Sequence, residues 1–225
     1  MGFARAVWLV LVKDLRVELR SREIVISTAL FAVLVVVLAG FALGTAGQPK
    51  AEVAPGVLWL AVAFAGVLAL SRTFLREREL GVWTALLLTP APHAALFLGK
   101  ALGVVVFLLV VEIVLVPVVD LMFHAPLLSN LHRLAPVLLL GTVGYSVTGT
   151  LFASMTVRTR LRDLLLGVIL FPLVSPVLIA AVKASAAIVA GGGMESWADL
   201  LGLLAVFDIL FVVLGLWLFG PLMED

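Results

Sequence analysis

Six continuous apolar runs, each about as long as a membrane span, constrain the fold of this chain more than any other feature. A hydrocarbon core about 30 Å thick requires roughly 20 apolar residues in a helix. The runs are continuously apolar rather than alternating, which argues against a β-barrel. The sequence therefore predicts an all-α membrane protein with six transmembrane helices, near residues 24–46, 54–71, 94–118, 134–156, 164–183 and 198–220.

The composition agrees with an integral membrane protein. Hydrophobic residues make up 64% of the chain and charged residues 13%, and the mean hydropathy is +1.27, outside the range usual for a soluble domain. The first run follows a charged leader and is longer than a signal-peptide core, so we expect a retained anchor. The intervening loops are too short for a second domain, which predicts a single compact bundle over residues 1–225.

The basic residues are distributed unevenly between the two sides of the predicted bundle. With six spans both termini lie on one side, and of the 15 Lys and Arg residues only Lys50, Arg133 and Lys183 fall on the opposite side. Under the positive-inside rule the side with the excess is cytoplasmic. Both termini are therefore expected in the cytoplasm.

Residues 3–22 predict an N-terminal amphipathic helix at the membrane surface. An apolar stripe recurs every four residues, at Val7, Leu11, Leu15 and Leu19. A basic stripe lies on another face, at Lys13, Arg16 and Arg20. Such a helix can bind anionic membrane lipid or grip a partner, and the sequence leaves both interpretations open.

A charged segment, Ser71–His93, lies between the second and third runs. Five charges fall within its residues 72–79, and its apolar residues are too few and too interrupted to span a membrane. The segment predicts short helices along the cytoplasmic face, joined near Gly81 and stopped by Pro90 and Pro92. Charge alone does not separate a solvated loop from a surface that docks a soluble partner.

Three stretches resemble a known family. Glu77–Pro90 resembles the charged, glycine, apolar and proline element that follows the second helix of type-2 ABC export permeases. Residues 54–59 with 68–70 look like the second helix of the CcmB family, the haem-exporter permease of cytochrome c maturation. Residues 171–179, FPLVSPVLI, are similar to that family's double-proline fifth helix. One departure is Trp83, where the wider superfamily tends to have a small polar residue.

The resemblance implies a non-catalytic permease subunit of the bacterial inner membrane that forms a homodimer and binds a separate ABC ATPase. A cytoplasmic coupling helix between spans 2 and 3 would contact that ATPase, and the loop 158–163 would add a lesser contact or only maintain the topology. The candidate coupling residues are Arg76, Glu77, Arg78, Glu79, Gly81, Trp83 and Arg160. ATP would bind the partner, because this sequence lacks the phosphate loop G-x-x-x-x-G-K-[ST].

The resemblance also implies haem as the ligand that is transported or handled, with no cofactor bound directly to this chain. The further partners that it implies are a haem-handling membrane protein with a tryptophan-rich cradle and, indirectly, a periplasmic haem chaperone; nucleic acid is not expected. His124 and His132, in the outer loop, are the candidate axial haem ligands, and ordinary loop histidines are the alternative. No metal site is predicted, and the absence of cysteine excludes thiolate ligands.

Acidic residues inside the spans need an explanation. Glu112 lies deepest and Asp208 lies in the last span, whereas Asp120 is expected at the outer interface. A lone ionised acid at mid-bilayer costs roughly 2.5 to 3.5 kcal/mol or more on insertion scales. These acids either line a polar cleft or subunit seam, or are protonated or hydrogen-bonded to a neighbouring helix.

Small residues in the spans predict close helix packing. In the fourth span, hydroxyl residues recur every fourth position, at Thr142, Ser146, Thr150 and Ser154. Pairs of glycines four residues apart, at 40 and 44 and at 99 and 103, have the same explanation, with dimerisation as the alternative.

Beside a purely structural scaffold, two other functions remain open from the sequence. One is a type-2 ABC permease that exports a different amphipathic substrate. The other is an intramembrane enzyme that uses Glu112, Asp208 or an outer histidine as acid or base, although the chain has no H-E-x-x-H motif.

Overall fold

The computed structural model describes residues 2–44, 50–79, 92–156 and 162–224, and the regular structure within these ranges is helical. It comprises, in chain order, α1 (Phe3–Ser21), α2 (Glu23–Gly44), α3 (Lys50–Glu79), α4 (His93–Phe123), α5 (Leu131–Thr156), α6 (Arg162–Val189) and α7 (Glu195–Glu224).

The helices α2 to α7 are each long and apolar enough to cross a membrane, which confirms the predicted fold class of six spans. Several helices extend beyond the predicted apolar runs. α4 continues through Pro117 to Phe123, and α6 continues through two prolines to Val189. Neighbouring helices can satisfy the backbone groups that a proline frees, so proline does not end a membrane helix.

The helix α3 differs from the prediction at its C-terminal end. It is one continuous helix from Lys50 to Glu79, so residues 71–79 prolong the second span instead of forming a separate short helix. This part of the chain has no proline or glycine and is rich in Arg and Glu, which favour helix. The rest of the charged segment, residues 80–91, lies outside the described ranges.

The helix α1 lies where the N-terminal helix was predicted but buries a different face. Its buried residues are Ala6, Val10 and Glu18, with Asp14 largely covered, and each lies one position before a member of the predicted apolar stripe. The cause is Gly99 of α4, where an added Cβ would overlap Val10. The missing side chain lets α1 approach α4 closely, so this glycine serves packing within the chain.

The helix α5 lies at the centre of the bundle, where α3, α4, α6 and α7 pack against it. Glycines on three sides of α5 allow this close approach: Gly141 faces the Trp59 ring, Gly144 faces Asp208 and Gly149 faces Leu70. An added Cβ at any of these positions would collide with the facing side chain. The small residues of the fourth span therefore determine how tightly its neighbours pack.

Candidate functional site

A buried lysine joins three helices at one end of the bundle. The Lys100 side chain on α4 is 1% exposed, and its Nζ lies 3.6 Å from Oδ2 of Asp14 on α1. The same Nζ lies 5.3 Å from the centroid of the Phe74 ring on α3. Burying an ammonium group is costly unless anionic or aromatic partners compensate for the lost hydration. Lys100, Asp14 and Phe74 are hereafter the Lys100 cluster.

The Lys100 cluster adjoins the predicted coupling segment along the chain. Phe74 lies two residues before Arg76, and α4 begins where that segment ends. The candidates Arg76, Glu77, Arg78 and Glu79 form the end of α3, where only the backbone is described. The candidates Gly81, Trp83 and Arg160 lie outside the described residues.

The role of this cluster was not predicted from the sequence. Lys100 was counted only as one positive charge of the predicted cytoplasmic side, and no role was predicted for Asp14. The available signal was the position of Lys100 inside the predicted span 94–118, where a cation requires a partner. The identity of that partner could not be read from the sequence, because Asp14 belongs to a different helix.

The deepest acid of the sequence, Glu112, has a hydrogen-bond donor on the neighbouring helix. The Thr142 hydroxyl of α5 donates to Oε1 of Glu112, and both side chains are buried. The other oxygen, Oε2, has no hydrogen-bond partner within the described part of the chain. Glu112 also borders an open cleft of about 500 Å³ between α4 and α5, whose other lining residues are apolar. The cleft is therefore an apolar one with a single acid, not a polar cleft.

The second buried acid, Asp208, packs on a different side of α5. It faces Gly144, and neither carboxyl oxygen has a hydrogen-bond partner among the described residues. Thr142 and Gly144 are two residues apart, so they point about 200° apart around the helix. Glu112 and Asp208 therefore lie on different sides of α5 and do not form a catalytic pair.

The predicted hydroxyl residues Ser146 and Thr150 are fully buried on α5. Within the described ranges, neither side-chain oxygen has a hydrogen-bond partner. The structure does not join them to Glu112 through a hydrogen bond. They remain candidates only as buried polar groups of the central helix.

Two aromatic residues that the sequence did not single out connect α5 and α6 to α3. Nε1 of Trp59 donates to Oγ of Ser185 on α6 over 3.0 Å. The Tyr145 hydroxyl donates to the Ala63 carbonyl over 2.7 Å, and its ring lies against Gly66. Each aromatic residue thus combines a facing glycine with a buried hydrogen bond, which fixes the position of its ring.

The candidate histidines lie in the loop between α4 and α5 and in the first turn of α5. Oδ1 of Asp120 accepts the N–H groups of Leu127 and Leu128 over 2.7 and 2.9 Å, which fixes the loop against the end of α4. His124 follows α4 in a left-handed conformation with φ 51° and is exposed, as is His132 on α5. Within the described ranges, no three His, Cys, Asp or Glu side chains are grouped to hold a metal ion.

Comparison with known proteins finds one family along nearly the whole chain. A family model described as CcmB protein matches residues 5–219. Heme exporter protein B of Bradyrhizobium diazoefficiens is 31% identical over 179 residues, 80% of each chain. The protein of that name from Rhodobacter capsulatus is 34% identical over 167 residues, 74% of this chain and 76% of the relative. That from Pseudomonas aeruginosa is 31% identical over 175 residues, 76% of each.

Proposed function

The chain belongs to the CcmB family, and from that premise we propose that it is the membrane permease subunit of a haem exporter that serves cytochrome c biogenesis. Its six spans suit a multi-pass transporter component, and we place them in the bacterial inner membrane with both termini in the cytoplasm. The whole of residues 1–225 then forms one type-2 ABC permease domain.

The observation that carries this proposal is the position of the Lys100 cluster. Phe74 near the end of α3 contacts Lys100 near the start of α4, and Lys100 in turn contacts Asp14 of α1, so Lys100 connects both helices that flank the charged segment to α1. A soluble ATPase that moved the segment would pull on α3, α4 and α1 together. This arrangement suits a subunit that converts an event in a partner into movement of its own helices.

The proposed partner at the charged segment is a separate ABC ATPase, which would bind and hydrolyse the ATP. The contact would use Arg76, Glu77, Arg78, Glu79, Gly81 and Trp83, with Arg160 from the second cytoplasmic loop. Opposite charges across such an interface guide association and discriminate against wrong partners. The permease itself would be non-catalytic, which agrees with the separation of Glu112 and Asp208 around α5.

Exposed apolar faces leave room for lipid and for a second copy of the chain. On α7, Val206, Val213 and Trp217 are each more than half exposed, and α2 exposes Leu30 and Phe41 to a similar degree. We propose that part of this surface forms a homodimer and that the rest contacts lipid. Haem itself would be held by a membrane partner with a tryptophan-rich cradle before it reaches a periplasmic chaperone, with His124 or His132 as the candidate ligand on this chain.

A second candidate function is export of a different amphipathic substrate by the same machinery. The apolar cleft beside Glu112 favours it, because a cavity of about 500 Å³ with one acid suits a molecule with an apolar body and one polar group. The ATPase would be of the same kind in both cases. The two functions differ in the membrane partner and in the bound pigment.

The test is affinity purification of the full chain from its native membrane in mild detergent, with mass spectrometry of the partners and absorbance spectroscopy of bound pigment. We expect an ABC ATPase and a haem-handling membrane protein to co-purify. ATP turnover should require the ATPase, and haem should accompany the complex rather than the isolated chain. ATP hydrolysis by the pure chain, or a complex that lacks an ABC ATPase, would contradict the proposal. An ATPase complex without haem or its membrane partner would favour the second candidate.

A further inference from the structure

A second open cleft lies at the junction of α1 and α2, away from Glu112. It has a volume of about 420 Å³ and is bounded by α1, α2 and α4. Its apolar walls include Leu15, Ile26 and Val110, and its two charged residues are Glu18 and Arg22. We call this space the junction cleft. One charge of each sign distinguishes this apolar cleft from a surface that only lipid tails would cover.

The acidic group of the junction cleft is buried and only half satisfied. Glu18 is 4% exposed. Its Oε1 accepts the N–H of Val25 in the first turn of α2 over 2.8 Å. Its Oε2 has no hydrogen-bond partner within the described ranges. Leaving a buried acceptor unpaired is unfavourable, and more so for a charged group, so this oxygen is suited to a donor from outside the chain.

The basic group of the junction cleft is Arg22, the residue between the two helices. It adopts the left-handed conformation with φ 54° and is exposed. Its guanidinium group makes no hydrogen bond or ion pair with the described residues. Arginine binds phosphate well because its planar fork can donate two parallel hydrogen bonds.

We propose that the junction cleft binds a phospholipid with a primary-amine headgroup, phosphatidylethanolamine. The ammonium would donate to Oε2 of Glu18, the phosphate would bind Arg22, and an acyl chain would lie along the apolar walls. Glu18 and Arg22 both line the junction cleft, so one headgroup could contact the two of them together. Both charges also lie just before the first span, on the side of the chain with the excess of Lys and Arg.

The chemistry of the headgroups predicts which phospholipid binds the junction cleft most tightly. Phosphatidylcholine carries no N–H donor for Glu18, and phosphatidylglycerol offers hydroxyl groups but no cation. A charge-assisted hydrogen bond to a buried acid contributes roughly 1.5–3 kcal/mol, which is about tenfold or more in affinity. We expect the chain to bind phosphatidylethanolamine about tenfold more tightly than either other lipid.

The test titrates the purified, delipidated full chain in detergent with dioleoyl-phosphatidylethanolamine, -phosphatidylcholine and -phosphatidylglycerol, and counts bound lipid by native mass spectrometry. Glu18→Gln should abolish the preference for the amine lipid, while its amide oxygen can still accept the Val25 N–H. Arg22→Gln should weaken all three lipids. The matched controls are Glu23→Gln and Arg20→Gln, which change exposed charges outside the cleft lining and should leave the preference intact.

A separate variant protects the test against misfolding at the junction. Val110→Trp fills the cleft from α4 and leaves both charges in place, and Val110 is 41% exposed, so the larger ring can be accommodated. It should lower binding of phosphatidylethanolamine about tenfold without changing the unfolding temperature. Equal binding of the three lipids by the wild type, tighter binding of phosphatidylglycerol, or a preference that survives both Glu18→Gln and Val110→Trp would overturn the proposal.

Discussion

The Thr142 hydroxyl on α5 donates a hydrogen bond to the Glu112 carboxyl group on α4, and both side chains are buried within membrane-spanning helices. The pair connects the deepest acid of the chain to the central helix of the bundle. The hydrogen bond also sets the register of α4 along α5, because Thr142 and Glu112 must lie at the same level to reach each other.

Removal of the Thr142 hydroxyl should destabilise the protein. Thr142→Val keeps the shape but leaves Glu112 without its donor, at an expected cost of about 1–3 kcal/mol in the free energy of unfolding. The measurement is denaturant unfolding in detergent. The control is Thr148→Val on the same helix, whose buried hydroxyl has no hydrogen-bond partner in the described part of the chain. That variant should be neutral or slightly stabilising, and equal losses in both would contradict a special role for the pair.

An added methyl group at Gly141 should force Trp59 from its place. The Cβ of Gly141→Ala would overlap the Trp59 ring, which is also held by its 3.0 Å bond to Ser185. Overpacking of this kind costs about 1–3 kcal/mol, so the unfolding temperature should fall. Gly202→Ala is the control, because nothing lies within 4 Å of an added Cβ there. We expect no loss from the control, since alanine favours helix over glycine.

Neutralising Lys100 should weaken the packing of α1 and α3 against α4. Lys100→Met leaves Asp14 largely buried, and removing one partner of a buried pair costs about 3–5 kcal/mol. We expect the lower end, because Asp14 retains Lys13 at 2.9 Å. In the assembled complex, ATP turnover should lose its dependence on the permease. Lys13→Met removes a more exposed partner of the same acid, 35% exposed, and should change stability by less than about 1 kcal/mol.

Charge reversal in the coupling segment should impair assembly and not insertion. Glu77→Lys with Glu79→Lys adds positive charge on the side that already has it, so the topology should hold. Close charge pairs at an interface couple by about 1.5 kcal/mol or more, so we expect co-purification of the ATPase to fall about tenfold or more. Glu195→Lys, an exposed change at the start of α7 near the outer loop, is the control. Unchanged recovery and stimulation of the ATPase by the double variant would show that these charges are only solvated and do not dock the ATPase.

The orientation of the bundle can be tested with single cysteines, because the chain has none of its own. Ser129→Cys, in the exposed outer loop, should react with an impermeant maleimide in intact spheroplasts. Ser21→Cys, exposed at the end of α1, should react only after permeabilisation. The opposite pattern would invert the topology and contradict a cytoplasmic partner at residues 71–90.

Sequence and structure agree best on the features that depend on a single segment of the chain. The number of spans and the helical class follow from the length of each apolar run, which is a local property. The predicted end of the second span, at residue 71, was wrong because the charges of residues 72–79 were taken as the end of a helix. Charge ends an apolar run but does not end a helix, and residues 71–79 contain no proline or glycine.

The sequence by itself determined that this chain crosses a membrane six times, and the family motifs indicated the kind of transporter to which it belongs. Only the tertiary structure decided which face of α1 is buried, that Asp14 neutralises Lys100, and that Thr142 reaches Glu112. These contacts depend on how each helix is rotated and shifted against its neighbours. Rotation and shift are set by where small residues such as Gly99 and Gly144 let two helices approach, so both partners must be seen together.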